Sequence, residues 1–345
     1  MAHVQVQVTA PPAVTVAQAP CATDRFSCER RAASMFLSVV IPTYNRLPIL
    51  RQCLAALENQ QLLPPLAEYE VVVVDDGSTD ATVDWIEAQQ AAGALIRVRL
   101  IRQTHGGPAI GRNTGVQACR GDVVVFIDSD LVVTPTFLLC HARSLEADWR
   151  QRGDQLSFTY GAVINTGNFE QPTAERHKLR DLSWAYFATG NVAIRRDLLQ
   201  RAGLFDPAFR LYGWEDLELG ERLHRLGVRL VRCPAAVGYH WHPPLSLDQI
   251  PRLLQVEEER ARMALVFFRK HPSRRVRLII QYTWLHRLLW ELITLGGLLN
   301  ERSLRPVLAW LIRRGRPALA MELLRLPLNR HGVHALFRLA RQAGI

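Results

Sequence analysis

Four runs of β-branched and aliphatic residues constrain this chain more than any other feature. They are "LSVVI" (37–41), "EVVVV" (70–74), "LIRVRLI" (95–101) and "DVVVFI" (122–127). Strands that are apolar at nearly every position must be covered on both faces, which is the habit of parallel sheets rather than of half-wet hairpins. Helical patterns separate them: "LPILRQCLAALENQ" with Pro48 near its first turn, "ATVDWIEAQQAAG", and the short "IGRNTGVQACRG". The alternation predicts an α/β fold with a mainly parallel central sheet and flanking helices.

In such sheets ligands bind beyond the carboxyl ends of the strands. The segments at those ends are "PTYNR" (42–46), "DDGSTD" (75–80), "RQTHGG" (102–107) and "DSD" (128–130). After residue 150 the pattern changes to shorter strands and loops, followed by a long helix over "SLDQIPRLLQVEEERARMALVFFRKHP". Three regions are expected: a flexible arm over 1–34, a catalytic domain over 35–272, and a basic, amphipathic helical region over 273–345.

Charge sharpens that division. The net charge is +10, and residues 271–345 alone carry 13 Arg, no Lys and 3 Glu, a surplus of ten. The body is therefore electrically balanced and the tail holds the excess. Six cysteines lack CxxC spacing, so they read as reduced thiols. The first residues lack the basic-then-apolar order of a signal peptide, and no window has about 18 uninterrupted apolar residues. A cytoplasmic protein is expected, with peripheral attachment to the inner face of the plasma membrane as one option for the tail.

Three constellations carry chemistry. In "VVVFIDSDLVV" a buried strand ends in Asp128 and Asp130, one residue apart, and carboxylate pairs of this kind suit a hard cation such as Mg²⁺ or Mn²⁺. The alternative is a turn in which Asp130 caps the next element. In "VVVVDDGSTD" the residues after Asp76 suit a turn and a helix cap, whereas Asp75, at the strand's last position, is harder to explain that way and could accept hydrogen bonds from a base. In "GYHWHPP", His240 and His242 share one face of an extended segment; either, added to the carboxylates, would tilt selectivity toward Mn²⁺. A fourth segment, "GWEDLELGERLHRLG", sets Glu215 and Asp216 at the start of a helix with a Leu219–Leu223–Leu226 stripe and Gly227 at its end.

The order of these blocks resembles a family 2 glycosyltransferase with a GT-A-type fold, over roughly residues 37–270. The blocks are "SVVIPTYNR", "VVVVDDGSTD", "GRNTG", "FIDSD", "TGNVAIRRD" and "GWEDLELGERL". The resemblance implies an inverting, divalent-metal-dependent transferase that moves a sugar from a nucleotide-diphosphate donor, most often a UDP-sugar, to a hydroxyl of a glycan or lipid-linked acceptor. It implies that Pro42, Thr43, Tyr44 and Arg46 border the nucleotide pocket, with Asp75 and Asp76 toward the base and Arg112 nearby. Asp128 and Ser129 would contact the donor. Asp130, with His240 or His242, His240 preferred because it ends the strand, would hold one Mn²⁺ or Mg²⁺, Mn²⁺ preferred. Thr189, Gly190 and Asn191 would floor the donor sugar. Asp216 would be the general base, Glu215 its supporting neighbour, and Trp214 a flat face for a sugar ring.

Two alternatives stand beside this reading. One is a non-catalytic carbohydrate-binding or scaffold relative. The other is a sugar nucleotidyltransferase, which would need a Gly-rich basic phosphate loop where this chain has "PTYNR". The Leu/Trp stripes and arginines of the tail fit either a helical subdomain packed on the enzyme or an interfacial segment on an anionic membrane surface. No nucleic-acid-binding module is recognisable, and nucleic acid is not an expected partner.

Overall fold

Alternate residues of the Val/Ile runs belong to two different cores. In the computed structural model, which describes residues 34–176 and 185–345, Leu37, Val39, Ile41, Val71, Val73, Val123, Val125 and Ile127 pack with Leu50, Leu54, Ile86, Phe137 and Leu138 on one face. Val40, Val72, Val74, Val124 and Phe126 pack with Val116, Leu198, Leu199, Leu219 and Leu223 on the other. This is the period-two geometry of a strand buried on both sides. The arm expected over 1–34 lies, apart from Ser34, outside the described residues.

The sheet has eight strands in the order β3-β2-β1-β4-β7-β6-β8-β5. β1 (Met35–Thr43), β2 (Leu66–Asp75), β3 (Val98–Arg102) and β4 (Val123–Ile127) pair in parallel. Their crossovers contain α1 (Leu47–Glu58), α2 (Thr82–Ala91) and α3 (Pro108–Ala118). The second half is mixed. β7 (Asn191–Arg195) runs antiparallel to both β4 and β6 (Ser157–Thr166), and β8 (Arg229–Trp241) is parallel to β6. The three-residue β5 (Leu131–Val133) closes the edge antiparallel to β8. The expected "mainly parallel" sheet is thus found with two reversed strands, and the stretch expected to hold shorter strands includes the 13-residue β8.

The remaining helices are α4 (Phe137–Arg152), α5 (Arg196–Ala202), α6 (Glu215–Arg225) and α7 (Ile250–Lys270). The tail folds as α8 (Arg274–Ile279), α9 (Trp284–Ile293), α10 (Arg305–Arg313) and α11 (Pro317–Gln342). Leu304, Leu308, Leu311, Ala320, Leu324 and Leu328 bury themselves with Leu245 and Ile250, so α10 and α11 share a core with the start of α7. Among the described residues no helix is long and apolar enough to cross a membrane. Four described cysteines, Cys53, Cys119, Cys140 and Cys233, are free thiols.

Candidate active site

The strand ends deliver the acidic residues to one edge of the sheet. Asp128 and Asp130 follow β4, and the antiparallel pairing of β5 with β8 sets Leu131 opposite His240. The Trp241 amide donates to the Asp130 carbonyl at 2.9 Å, locking that register. His240 Nε2 consequently lies 2.9 Å from Asp130 Oδ1, and Asp128, Asp130 and His240 offer ligand atoms all within 4.8 Å of one another. His242, on the same face as expected, has its ring 4.2 Å from that of His240, but its Nε2 meets Asn165 Oδ1 at 2.9 Å.

Electrostatics separates the two histidines. Burial opposes charge on His240, but the hydrogen bond and charge of Asp130 raise its pKa above the usual value. Burial and the neighbouring His240 push His242 down to about 4. Asp130 is itself pushed up by burial, yet His240 and the Arg46 guanidinium, which contacts its Oδ2, hold it below the ordinary carboxylate range. A cluster of two carboxylates and an imidazole, one carboxylate of which is held by Arg46 and His240, has the donor set for an oxygen-preferring divalent cation.

The two aspartates after β2 are used differently. Asp76 is saturated: its carboxylate accepts from the Gly106 and Gly107 amides at 2.8 and 2.9 Å and from Gln103 Nε2 at 2.7 Å, with His105 Nδ1 2.9 Å away. It holds the loop after β3. Asp75 is equally buried, accepts only the Ser78 amide through Oδ2 at 3.1 Å, and leaves Oδ1 without a partner. Thr43 Oγ1 is likewise buried and unpartnered. Such atoms are costly unless a ligand satisfies them. Pro42, next to last in β1, lies against α3, and Tyr44, 43% exposed, lies over His105 at 4.5 Å between ring centroids.

α3 lies close over β1 because it carries glycine there: a Cβ on Gly115 would come within 2.3 Å of Val40 Cγ1. That approach carries Arg112 into the site. Its guanidinium, buried beside Phe205, donates to Asp128 Oδ1 at 3.1 Å and to Glu215 Oε1 at 3.0 Å. One arginine therefore joins the acidic residues after β4 to those at the start of α6. Burial alone would lower its pKa; Asp128, Glu215 and Asp216 raise it instead.

At α6 the turn is unusual. Gly213 and Trp214 both have positive φ, 100° and 75°, and a left-handed tryptophan costs about 1–3 kcal/mol. Its indole N–H donates to the Arg260 carbonyl at 2.8 Å, the Arg260 guanidinium covers the ring, and the ring packs against the core cluster of α7. The turn leaves Asp216 partly exposed, with Oδ1 accepting only the next amide, that of Leu217, at 2.7 Å. Burial and then the Glu215 charge push its pKa up to about 7; Arg112 opposes them. Glu215 Oε2 has no partner.

The remaining expected residues fall around this edge. Ser129 and Thr189 are buried, and a Cβ on Gly190 would meet Asp128 Oδ2 at 3.3 Å. Asn191 acts within the fold: its Nδ2 donates to the carbonyls of Ala162 and Ala236 and its Oδ1 lies 2.8 Å from His141 Nε2. Sequence reasoning missed Asn45, whose Oδ1 accepts the Thr79 amide at 2.7 Å and ties the first two loops together. It also missed Tyr212, 59% exposed on the turn before α6 and within electrostatic reach of Asp128, Glu215 and Asp216. Asn45 stood in the quoted "PTYNR"; Tyr212 had only its place beside the acidic pair as a signal.

Residues 38–203 match the family model described as "Glycosyl transferase family 2". The chain is 30% identical over 253 residues to the chondroitin synthase of Escherichia coli, an alignment covering 63% of this chain and 36% of that protein. It is 30% identical over 280 residues to the validoxylamine A glucosyltransferase of Streptomyces hygroscopicus subsp. jinggangensis, covering 69% and 61% respectively. The chain thus spans about a third of the first relative and under two thirds of the second. Among solved structures, the mannosyltransferase PcManGT of Pyrobaculum calidifontis, in complex with GDP-Man and Mn²⁺, superposes with a TM-score of 0.55 at 20% identity, over 88% of this chain and 86% of that one.

Proposed function

We propose that the chain, matched by the family 2 glycosyltransferase model over residues 38–203 and built on the GT-A architecture, is an inverting transferase of that family acting on a nucleoside-diphosphate sugar, with Asp216 as general base. The observation that carries this reading is the Arg112 bridge. It joins Asp128, beside the candidate cation ligands, to Glu215, beside a carboxyl whose pKa of about 7 suits proton abstraction at neutral pH. A base is most useful when its pKa is close to the operating pH.

Asp130 and His240, with Asp128 beside them, would hold a divalent cation, which when bound offsets the charge developing on the departing diphosphate. The chain's own residues do the rest. Asp75 Oδ1 and Thr43 Oγ1, buried and unsatisfied, receive polar groups of the nucleotide, and Tyr44 offers a face to its base. Gly190, where a side chain would crowd Asp128, leaves room for the donor sugar. Asp216 takes the proton of an acceptor hydroxyl as that oxygen attacks C1 of the sugar. The C1–O bond to the diphosphate breaks, its electron pair leaves with the nucleotide, and attack from the opposite face inverts the anomeric centre. Trp214, strapped to Arg260, sets the entry angle of α6; exposed Tyr212, rather than the covered indole, is the better aromatic contact for an acceptor sugar. The acceptor is a hydroxyl of a glycan or a lipid-linked glycan, and UDP is the first donor nucleotide to try, GDP the second.

Donor hydrolysis by the purified protein, read as nucleotide release across a panel of nucleotide sugars with Mn²⁺ or Mg²⁺, tests the reading without a guessed acceptor. Turnover of one donor, abolished by chelation, supports it. Metal-independent glycan binding with no affinity for any nucleoside diphosphate would replace it with the carbohydrate-binding reading.

A further inference from the structure

Helix α9 is built inside out. Glu291 faces the protein, pairing with Arg330 at 3.1 Å and with His334 at 2.5 Å, and Trp290 Nε1 donates to Gln281 at 2.7 Å, while the Thr283 hydroxyl caps the helix against His286 at 2.7 Å. Its apolar side chains face outward. Trp284 is 72% exposed and Leu292 65%, with Leu285, Leu288 and Leu289 between 46% and 58%, and Leu298, just beyond the helix, is 72% exposed. No residue of α9 is buried. The spacing 284, 285, 288, 289 and 292 is one continuous helical stripe. The neighbouring α10 and α11 bury Leu308, Leu311, Leu324 and Leu328 in a core and, of their large apolar residues, expose only the scattered Val307, Trp310 and Leu319, so the continuous stripe is a property of α9 and its C-terminal loop. Contiguous apolar surface of this kind marks an interaction site.

We propose that this stripe docks the protein on the surface of an anionic lipid bilayer. Charge decides between lipid and a second copy. The three acidic residues of 271–345 are already engaged: Glu291 as above, Glu301 with Arg302, and Glu322 with Arg325. Arg287, on α9 itself between Leu285 and Leu288, is exposed with no ion pair among the described residues, as are Arg305, Arg313 and Arg316. A two-fold pairing of the stripe would bring Arg287 against its own copy, whereas phosphate headgroups complement it. Length sets the mode of attachment: no described helix is long and apolar enough to cross a bilayer, while an exposed stripe of Leu and Trp beside arginines suits insertion along the headgroup boundary. Docking is independent of the transfer chemistry, and its test does not depend on turnover.

The test is co-sedimentation of the full chain with vesicles of phosphatidylcholine alone and of phosphatidylcholine with roughly one-third phosphatidylglycerol. The proposal expects binding to the anionic vesicles, weaker at high salt, and a loss of at least about tenfold in Leu288→Asp/Leu292→Asp. Both leucines are exposed, so an unchanged far-ultraviolet spectrum and thermal midpoint check the fold. Absence of sedimentation, equal binding by the double variant, or equal binding to neutral vesicles would overturn the proposal. So would a dimer in light scattering that the double variant splits, which would assign the stripe to a second copy.

Discussion

Asp130 and Asp216 are the same residue type at one edge of one sheet, yet their surroundings pull them in opposite directions. Asp130 is ringed by His240 and Arg46 and held below the usual carboxylate range. Asp216 is desolvated beside Glu215 and is held up at about 7. The first is suited to stay ionised and gather cations; the second can accept and release a proton near neutrality. Environment has given two chemically identical groups different tasks, and Arg112 stands between them as the charge both neighbourhoods share.

The comparison can be broken by removing either carboxylate, and Asp216→Asn gives the largest expected effect. The account expects turnover to fall by about 10²–10⁴ with nucleotide affinity nearly unchanged, read by steady-state rates and isothermal titration. Asp130→Ala should act at the other end, with cation-dependent nucleotide affinity falling by about 10–100-fold or more in the same titration. Arg112→Gln would strip both neighbourhoods of their shared partner. Leaving Glu215 and Asp128 without it should cost about 3–5 kcal/mol of stability, measured by denaturant unfolding.

Glu215→Gln sharpens the contrast instead of breaking it. The Glu215 charge raises the pKa of Asp216, so its removal should move the acid limb of kcat/KM, expected near pH 7 in the parent, to lower pH. A folded pKa raised above that of the unfolded chain also means that Asp216 favours the folded state at low pH. That contribution is lost as pH rises from the ordinary Asp value of 3.8 through about 7. Asp216→Asn should flatten this part of the stability profile, measured by denaturant unfolding between the two limits. The smallest effect belongs to His242, which burial keeps neutral and which contacts Asn165: His242→Gln should leave cation affinity within about twofold, against the loss expected for His240→Gln.

What could be read from the sequence was what has a local signal. The four Val/Ile runs announced the parallel half of the sheet because burial on both faces forces apolar residues at every position. The reversed β7 and the three-residue β5 had no such signature, and α4, with His141 and Arg143 in its first half, was not read as a helix. Asp128, Asp130 and His240 were legible as types, and the place of His240 at the strand's end already favoured it over His242; what the sequence lacked was the β5–β8 register that sets it against Asp130. The division between Asp75 and Asp76 was invisible for a related reason: adjacent aspartates look alike until one is seen saturated by the Gly106 and Gly107 amides. The Arg112–Glu215 pair joins residues 103 positions apart, a separation that leaves no periodicity to detect. In the tail, both Leu/Trp segments looked amphipathic. Only packing distinguishes α10, whose Leu308 and Leu311 are buried although Val307 and Trp310 are not, from α9, which buries none of its residues.

The measurement closest to the central claim is titration of UDP and GDP, with Mn²⁺ and with chelator, into the wild type, Asp216→Asn and Asp130→Ala, paired with donor turnover by the same preparations. The account predicts a crossed result: Asp216→Asn binds nucleotide with Mn²⁺ as the wild type does but does not turn over, and Asp130→Ala loses the Mn²⁺-dependent binding itself. Wild-type turnover in Asp216→Asn, or nucleotide binding by the wild type that is indifferent to the cation, would contradict it.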